Sequence, residues 1–226
     1  MNWEEQIIYK DIHLMVVNKP FGMLAQKDKN EEKGVNELLF DYLGKPNFWL
    51  LLQRIDRVAG GLMSISKSRR VGNAMRELQL ERKIEKTYYI ITERVPEAPT
   101  GRIEQYIKKL PRTTRWKVFD EKVPNSKSAI LEYQLIATIN NRSLIKVKPI
   151  TGRTHQIRSQ MANIGCPVVG DKKYGKTKWL SDESICLFSA GVSFEHPISR
   201  KKIEVNAPLP VERAVWNDFK EVISKL

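Results

Sequence analysis

The chain predicts an α+β fold, a mixed and largely antiparallel sheet flanked by helices. Three observations point there. Short runs rich in β-branched and aromatic residues recur along its 226 residues, separated by turn chemistry. Helical periodicity is confined to a few isolated segments. Strands and helices do not alternate in the strict order of a parallel sheet. A chain of this length can bury a substantial core as one domain. It is read as a single domain over residues 1–226, with two lobes as the other arrangement.

In chain order, Ile7–Tyr9 and Leu14–Asn18 read as short strands, the second ending in the turn Lys19-Pro20-Phe21-Gly22. Val35–Leu43 is a predicted helix with Val35, Leu38, Leu39 and Tyr42 on one face, stopped by Gly44 and Pro46. Phe48–Leu52 and Leu62–Ile65 read as strands on either side of a turn at Asp56. Ser68 is placed to cap a helix carrying Val71, Met75 and Leu78 on one face, with Arg69, Arg70 and Arg76 on the other. Thr87–Thr92 is a strand, and residues 95–128, rich in Pro and charge, read as irregular. Ala129–Thr138 and Ser143–Val147 form a hairpin around Asn140-Asn141. Thr154–Asn163 is helical and closes at Gly165; Ile185–Ala190 and Lys202–Val205 are late strands. Val211–Leu226 is expected as a terminal helix with Val215, Phe219 and Val222 as its apolar stripe.

Composition bounds the partners. Lys and Arg number 39 against 26 Asp and Glu, a net charge of +13. An excess of that size speaks about partners and not fold, and phosphate backbones are the commonest. No segment approaches the ~20 apolar residues of a membrane-spanning helix, and the basic residues are dispersed instead of gathered on one amphipathic helix. The N-terminus lacks a signal-peptide pattern. Two cysteines, Cys166 and Cys186, are too few for a disulfide framework or a zinc site. They read as buried thiols in a reducing cytoplasm.

Two polar clusters carry candidate chemistry. The stretch Leu52–Leu62 sets one acid, Asp56, between Arg54 and Arg57, with Gly60-Gly61 just beyond. The second cluster runs Thr151-Gly152-Arg153-Thr154-His155-Gln156-Ile157-Arg158. No pair of histidines or carboxylates shows metal-ligand spacing. The run Lys108–Lys117 holds five basic residues, no acid and Trp116. A solvated loop and an RNA-contacting loop explain it equally well. The same two readings apply to Lys172, Lys173, Lys176 and Lys178.

At these clusters the chain resembles the RluA family of RNA pseudouridine synthases. Four blocks match in the family's order. Leu14–Gly22 resembles its opening strand and Asn-Lys-Pro-x-Gly turn. Gln53–Leu62 resembles a block usually written His-Arg-Leu-Asp-x-x-Thr-Ser-Gly-Leu. Lys86-Thr87-Tyr88 resembles its Lys-x-Tyr, and Gly152–Gly175 its Gly-Arg-x-His-Gln-[Leu/Ile]-Arg helix and Gly-Asp-x-x-Tyr-Gly turn. The chain departs at Gln53, at Ala59-Gly60 and at Phe188, where the family usually has His, Thr-Ser and the His of Leu-His-Ala.

The resemblance implies a fold with a central RNA-binding cleft and isomerisation of uridine to pseudouridine in ribosomal or transfer RNA, with no cofactor and no metal. It implies Asp56 as the catalytic carboxylate, Arg158 as its charge partner, and Tyr88 stacked on a flipped-out base. Base flipping is needed because a stacked base is out of reach. Arg54 would fill the vacated space. Tyr89 is the rival to Tyr88, but neighbouring strand residues face opposite sides and Lys-x-Tyr favours Tyr88. His155 reads as a hydrogen-bonding residue and not a base. It is grouped with Arg57, Lys86, Arg153, Gln156, Arg115 and Trp116 as RNA contacts. The motif blocks begin within the first twenty residues, so a monomeric catalytic domain without an N-terminal RNA-binding accessory is expected. The departures motivate an alternative, a non-catalytic RNA-binding or ribosome-assembly factor on the same fold.

Overall fold

The structure is a computed structural model that describes every residue except Met1, Lys29, Glu31 and residues 176–179. Lys176 and Lys178 of the second basic run therefore lie outside the described residues. The chain divides into two compact units, Met1–Lys86 with Phe188–Pro208, and Thr87–Leu187 with Leu209–Leu226. No described helix is long and apolar enough to cross a membrane.

The first unit opens with a single helical turn, α1 (Trp3–Gln6), then β1 (Ile7–Lys10) antiparallel to β2 (Leu14–Lys19). Asp11 shapes the turn between the strands. One of its carboxylate oxygens accepts from the backbone N–H groups of His13 and Leu14, the other from the Tyr9 hydroxyl. Helix α2 (Val35–Tyr42) buries Val35 and Leu39. Tyr42, predicted on that face, is 49% exposed and turns its hydroxyl to Glu4. Its phenol keeps a polar tip in water, which the apolar pattern alone misses. Strand β3 is only Leu50–Leu51 and pairs with the far half of β4 (Gly60–Ser66), whose seven residues are all buried. Helix α3 (Arg69–Leu80) buries Val71, Gly72 and Met75. The Ser68 side chain does not cap it. The Ser66 hydroxyl instead accepts from the Ser68 N–H and donates to the Ser68 carbonyl.

The second unit carries β5 (Glu85–Thr92), β6 (Thr100–Lys109), β7 (Trp116–Phe119), β8 (Lys127–Ile139) and β9 (Arg142–Pro149), in the antiparallel order β5-β9-β8-β6-β7. The segment read as irregular is thus largely a hairpin. In β6 the inward positions are Ile103, Gln105 and Ile107, between outward-facing charged and polar residues. The polar Gln105 at an inner position masks the alternation. The β8–β9 turn matches its prediction, with Asn140 and Asn141 both at positive φ (51° and 62°). Helix α4 (Gln156–Asn163) follows, and Gly165 beyond it adopts φ 82°.

The chain then returns to the first unit as β10 (Leu187–Glu195), parallel to β4 at Phe188↔Gly60 and Ser189↔Gly61, and antiparallel to β11 (Lys202–Asn206). Gly61 sits at φ 109°, and a Cβ there would lie 2.2 Å from the Ser189 carbonyl oxygen, so only glycine fits. A parallel contact among mostly antiparallel ladders gives the mixed, largely antiparallel α+β fold that was predicted. The terminal segment is two single turns, α5 (Ala214–Asn217) and α6 (Lys220–Ile223), not one long helix. Backbone geometry leaves the helical region at Phe219, which is buried as expected, and Trp216 is buried beside it in place of Val215 and Val222. Cys166 and Cys186 are buried free thiols.

Candidate active site

The loop that carries Asp56 is tied down on both sides. Ahead of it, the Leu52 N–H donates to the Ser64 carbonyl (2.9 Å), and the Gln53 side-chain amide donates to the Leu62 carbonyl (3.0 Å). Gln53 thereby continues the β3–β4 ladder with its side chain. Ile55 is buried, Asp56 half-buried, and Arg54 and Arg57 are exposed. The Ala59 N–H closes the turn onto the Asp56 carbonyl (3.1 Å).

Beyond the turn, Arg57 joins the loop to the Lys19–Gly22 turn. Its Nε donates to the Gly22 carbonyl, its own carbonyl accepts from the Gly22 N–H, and its guanidinium pairs with Glu32 at 2.9 Å. Lys19 is wholly buried, and its Nζ donates to the carbonyls of Pro20 (2.7 Å), Met23 (2.8 Å) and Arg57 (3.3 Å). Burial pushes its pKa down to about 7, opposed by the nearby Asp56 charge and reinforced by Arg57. Sequence reading gave Lys19 only a turn role. A lysine next to the proline of a buried strand end was the available signal.

Two of the departures from the family pattern, Gly60 and Phe188, lie against Phe21. Phe188 stacks on Phe21 with ring centroids 5.9 Å apart. A Cβ on Gly60 would come within 2.6 Å of the Phe21 ring. Phe21 therefore needs the glycine beneath it and the phenyl ring of Phe188 beside it. Positions 21, 60 and 188 are too distant in sequence for this to be read there.

In the second unit, Tyr89 is buried opposite Lys146 while Tyr88, opposite Val147, is half-buried. Of the pair, Tyr88 offers more of its side chain to a ligand. Lys86 is half-buried, and burial pushes its pKa down to about 8. Helix α4 places Arg158 in a bidentate pair with Asp171, Nε–Oδ2 2.7 Å and Nη2–Oδ1 2.9 Å, with side-chain exposures of 3% and 1%. The guanidinium also lies over the Tyr174 ring, 5.3 Å from its centroid. A planar fork held on two oxygens fixes both the charge and the orientation of Arg158. Asp171 and Tyr174 belong to the Gly170–Gly175 turn, and sequence reading assigned neither a role.

The expected RNA contacts divide. Arg115 and Arg153 are exposed, the latter donating from Nε to the Ser128 carbonyl. Trp116 is half-buried, and its N–H donates to the Tyr174 hydroxyl. His155, the N-cap of α4, bonds the same hydroxyl through Nδ1 at 2.8 Å. Gln156 is buried, its Oε1 accepts from the Thr151 hydroxyl and the Arg153 N–H, and its Nε2 donates to the Ile130 carbonyl. Its amide shapes the loop before α4. The second unit thus gathers Arg158, His155 and Trp116 around Asp171 and Tyr174. The first gathers Asp56 and Arg57 around Lys19.

The model of a family described as RNA pseudouridylate synthase matches residues 13–163, a stretch that contains Asp56, Tyr88 and Arg158. The chain belongs to that family. Among its relatives, a protein named Ribosomal large subunit pseudouridine synthase C from Vibrio cholerae is 29% identical over 222 residues, 91% of this chain and 66% of the relative. A Haemophilus influenzae protein named Uncharacterized RNA pseudouridine synthase is 33% identical over 173 residues, 76% of this chain and 75% of the relative. The chain spans about two thirds to three quarters of the length of these relatives. Human RNA Pseudouridylate Synthase Domain Containing 4 shares the fold, with a TM-score of 0.76 at 21% identity over 98% of this chain and 94% of its own. The family resemblance read from the motif blocks is met.

Proposed function

We propose that this protein isomerises specific uridines of ribosomal RNA to pseudouridine with Asp56 as its catalytic carboxylate. Family membership makes it an RNA pseudouridine synthase, an isomerase. In that reaction the C1′–N1 bond of uridine breaks and a C1′–C5 bond forms, the C5 hydrogen leaves as a proton, and N1 gains one. An aspartate suits the work, because a carboxylate can attack the sugar or base or take a proton from the sugar. The observation that carries the assignment is the loop itself. Asp56 is the one acid in a turn held by Gln53, Arg57 and the buried Lys19.

Tyr88 is assigned to stack on the flipped base, and Arg158 to present a fixed cation. The half-burial of Tyr88 and the bidentate hold of Asp171 on Arg158 support these roles. Arg54, Arg57, Lys86, Arg153, Arg115 and Trp116 are assigned to RNA. Ribosomal RNA is favoured over transfer RNA because relatives matched over 91% of this chain carry ribosomal names. A cytoplasmic monomer is the state proposed. The non-catalytic reading loses its motive, since Gln53 holds the loop and Gly60 and Phe188 pack with Phe21.

The test is tritium release from large-subunit ribosomal RNA labelled at C5 of uridine, taken from cells lacking the protein. Release by the parent and none by Asp56→Asn, with RNA binding preserved, is expected. Equal release by the variant would remove Asp56 from the mechanism.

A further inference from the structure

The chemistry above makes no use of the Tyr174 hydroxyl, yet within the second unit that group is where two elements meet. Its Oη accepts from the backbone N–H of Trp116 at 3.0 Å, and lies 2.8 Å from Nδ1 of His155. An oxygen that accepts from an amide keeps its own proton for a second partner, here Nδ1. Trp116 begins β7, directly after the exposed loop that carries Arg112 and Arg115. His155 begins α4, held at φ 55° and ψ 20°, left-handed values that residues with a Cβ seldom adopt. Arg158 follows three positions later, about one turn along the helix.

The turn that bears Tyr174 grips both elements a second time. Asp171 Oδ1, which accepts from Arg158 Nη2, also accepts from the N–H groups of Lys173 (3.0 Å) and Tyr174 (3.3 Å). Lys173 Nζ donates to the Thr114 hydroxyl at 2.9 Å, in the loop beside Arg115. The base of the hairpin has its own anchor, Gln160 of α4 donating to the Ala129 carbonyl (3.1 Å) and reaching Gln105 of β6 (3.4 Å). Losing the Tyr174 hydroxyl would therefore loosen the hairpin tip, with the Lys173–Thr114 bond and the base left in place.

We propose that Tyr174 is a positioning residue that locks the basic tip of the β6–β7 hairpin to the start of α4, keeping RNA held by the tip in register with Arg158. This rests on the reading of the chain as an RNA isomerase with Arg115 as an RNA contact. The hydroxyl acts through the loop. The ring beneath the guanidinium and the Arg158–Asp171 pair are separate features that Tyr174→Phe retains.

The experiment compares the parent with Tyr174→Phe, Arg115→Ala and the double variant. Large-subunit ribosomal RNA transcribed with C5-tritiated uridine serves as the probe. Kinetics of tritium release, RNA affinity and amide hydrogen exchange at Trp116 are measured on each. Tyr174→Phe should raise KM and Kd about tenfold, the scale of one hydrogen bond, with kcat within about twofold. Trp116 exchange should quicken. The two substitutions should combine to less than the product of their separate effects on KM, because both act through the tip. A fall in kcat at unchanged KM, fully multiplicative effects, or no change would each overturn the proposal. If the parent releases no tritium from this RNA, the isomerase reading fails by itself. Affinity and exchange then decide the positioning role: weaker binding with faster Trp116 exchange upholds it, and unchanged binding sinks it.

Discussion

The side-chain amide of Gln53 donates to the carbonyl of Leu62, 3.0 Å away, and binds the approach to Asp56 onto the buried strand β4. At this position the family usually carries a histidine. Here a glutamine ties the loop to the strand with its amide. Gln53→Ala should therefore loosen the loop, lowering stability by about 1 kcal/mol and the rate of pseudouridine formation by about tenfold, a barrier change of ~1.4 kcal/mol. Urea denaturation and tritium release check the two effects. An unchanged rate would show that the tether is dispensable for the chemistry.

Arg158 and Asp171 form a nearly inaccessible ion pair. Removing one partner of such a pair leaves the buried charge less compensated, at a cost of about 3–5 kcal/mol. Asp171→Ala should lose stability on that scale and abolish turnover, while Asp171→Asn, which keeps the shape and one acceptor, should lose less. Denaturant midpoints decide. A loss below about 1 kcal/mol for the alanine variant would mean that Arg158 does not depend on this carboxylate.

Much of this was legible in the sequence, and the parts that were not have physical reasons. Strands with clean β-branched runs, such as β2 and β5, declared themselves, as did the Asn140-Asn141 turn. Strand β6 did not, because Gln105 points inward and is satisfied there by Asp120 and Gln160, so a polar residue stands where periodicity expects an apolar one. The terminal helix is interrupted at Phe219, whose backbone leaves the helical region, a break that the apolar spacing does not mark. The motif blocks marked Asp56, Tyr88 and Arg158. Lys19 beneath the Asp56 loop, and Asp171 and Tyr174 against Arg158, act through contacts that only the folded chain reveals.

Lys19 gives a pH signature. Its folded pKa, about 7, lies below the ~10.4 of an unfolded lysine. Between those values the unfolded chain holds a proton that the folded chain lacks. Unfolding free energy therefore rises with pH across this window, by at most about 1.4 kcal/mol per pH unit from this group. The penalty for burying the cation is complete below pH 7 and fades as pH rises. Lys19→Met should lack this contribution, so the stability difference between parent and variant should change across pH 7–10 and be flat below it. Taking the difference cancels Lys86, which is also lowered. Parallel stability curves over that range would refute the assignment.

Gly60 supplies the sharpest test of the packed departures. Serine is the family's usual residue there, yet its Cβ would meet the Phe21 ring at 2.6 Å, well inside any normal contact. The ring has little freedom to retreat, since it is stacked on Phe188. Gly60→Ser should thus destabilise the protein by about 1–3 kcal/mol, the usual cost of overpacking a core. It should also slow turnover, because β4 begins four residues after Asp56. Trimming the obstacle should help: Phe21→Leu with Gly60→Ser should be more stable than the sum of the separate losses allows. Thermal unfolding of the four members of this cycle reads the coupling directly. Strict additivity would show that Phe21 does not dictate the glycine.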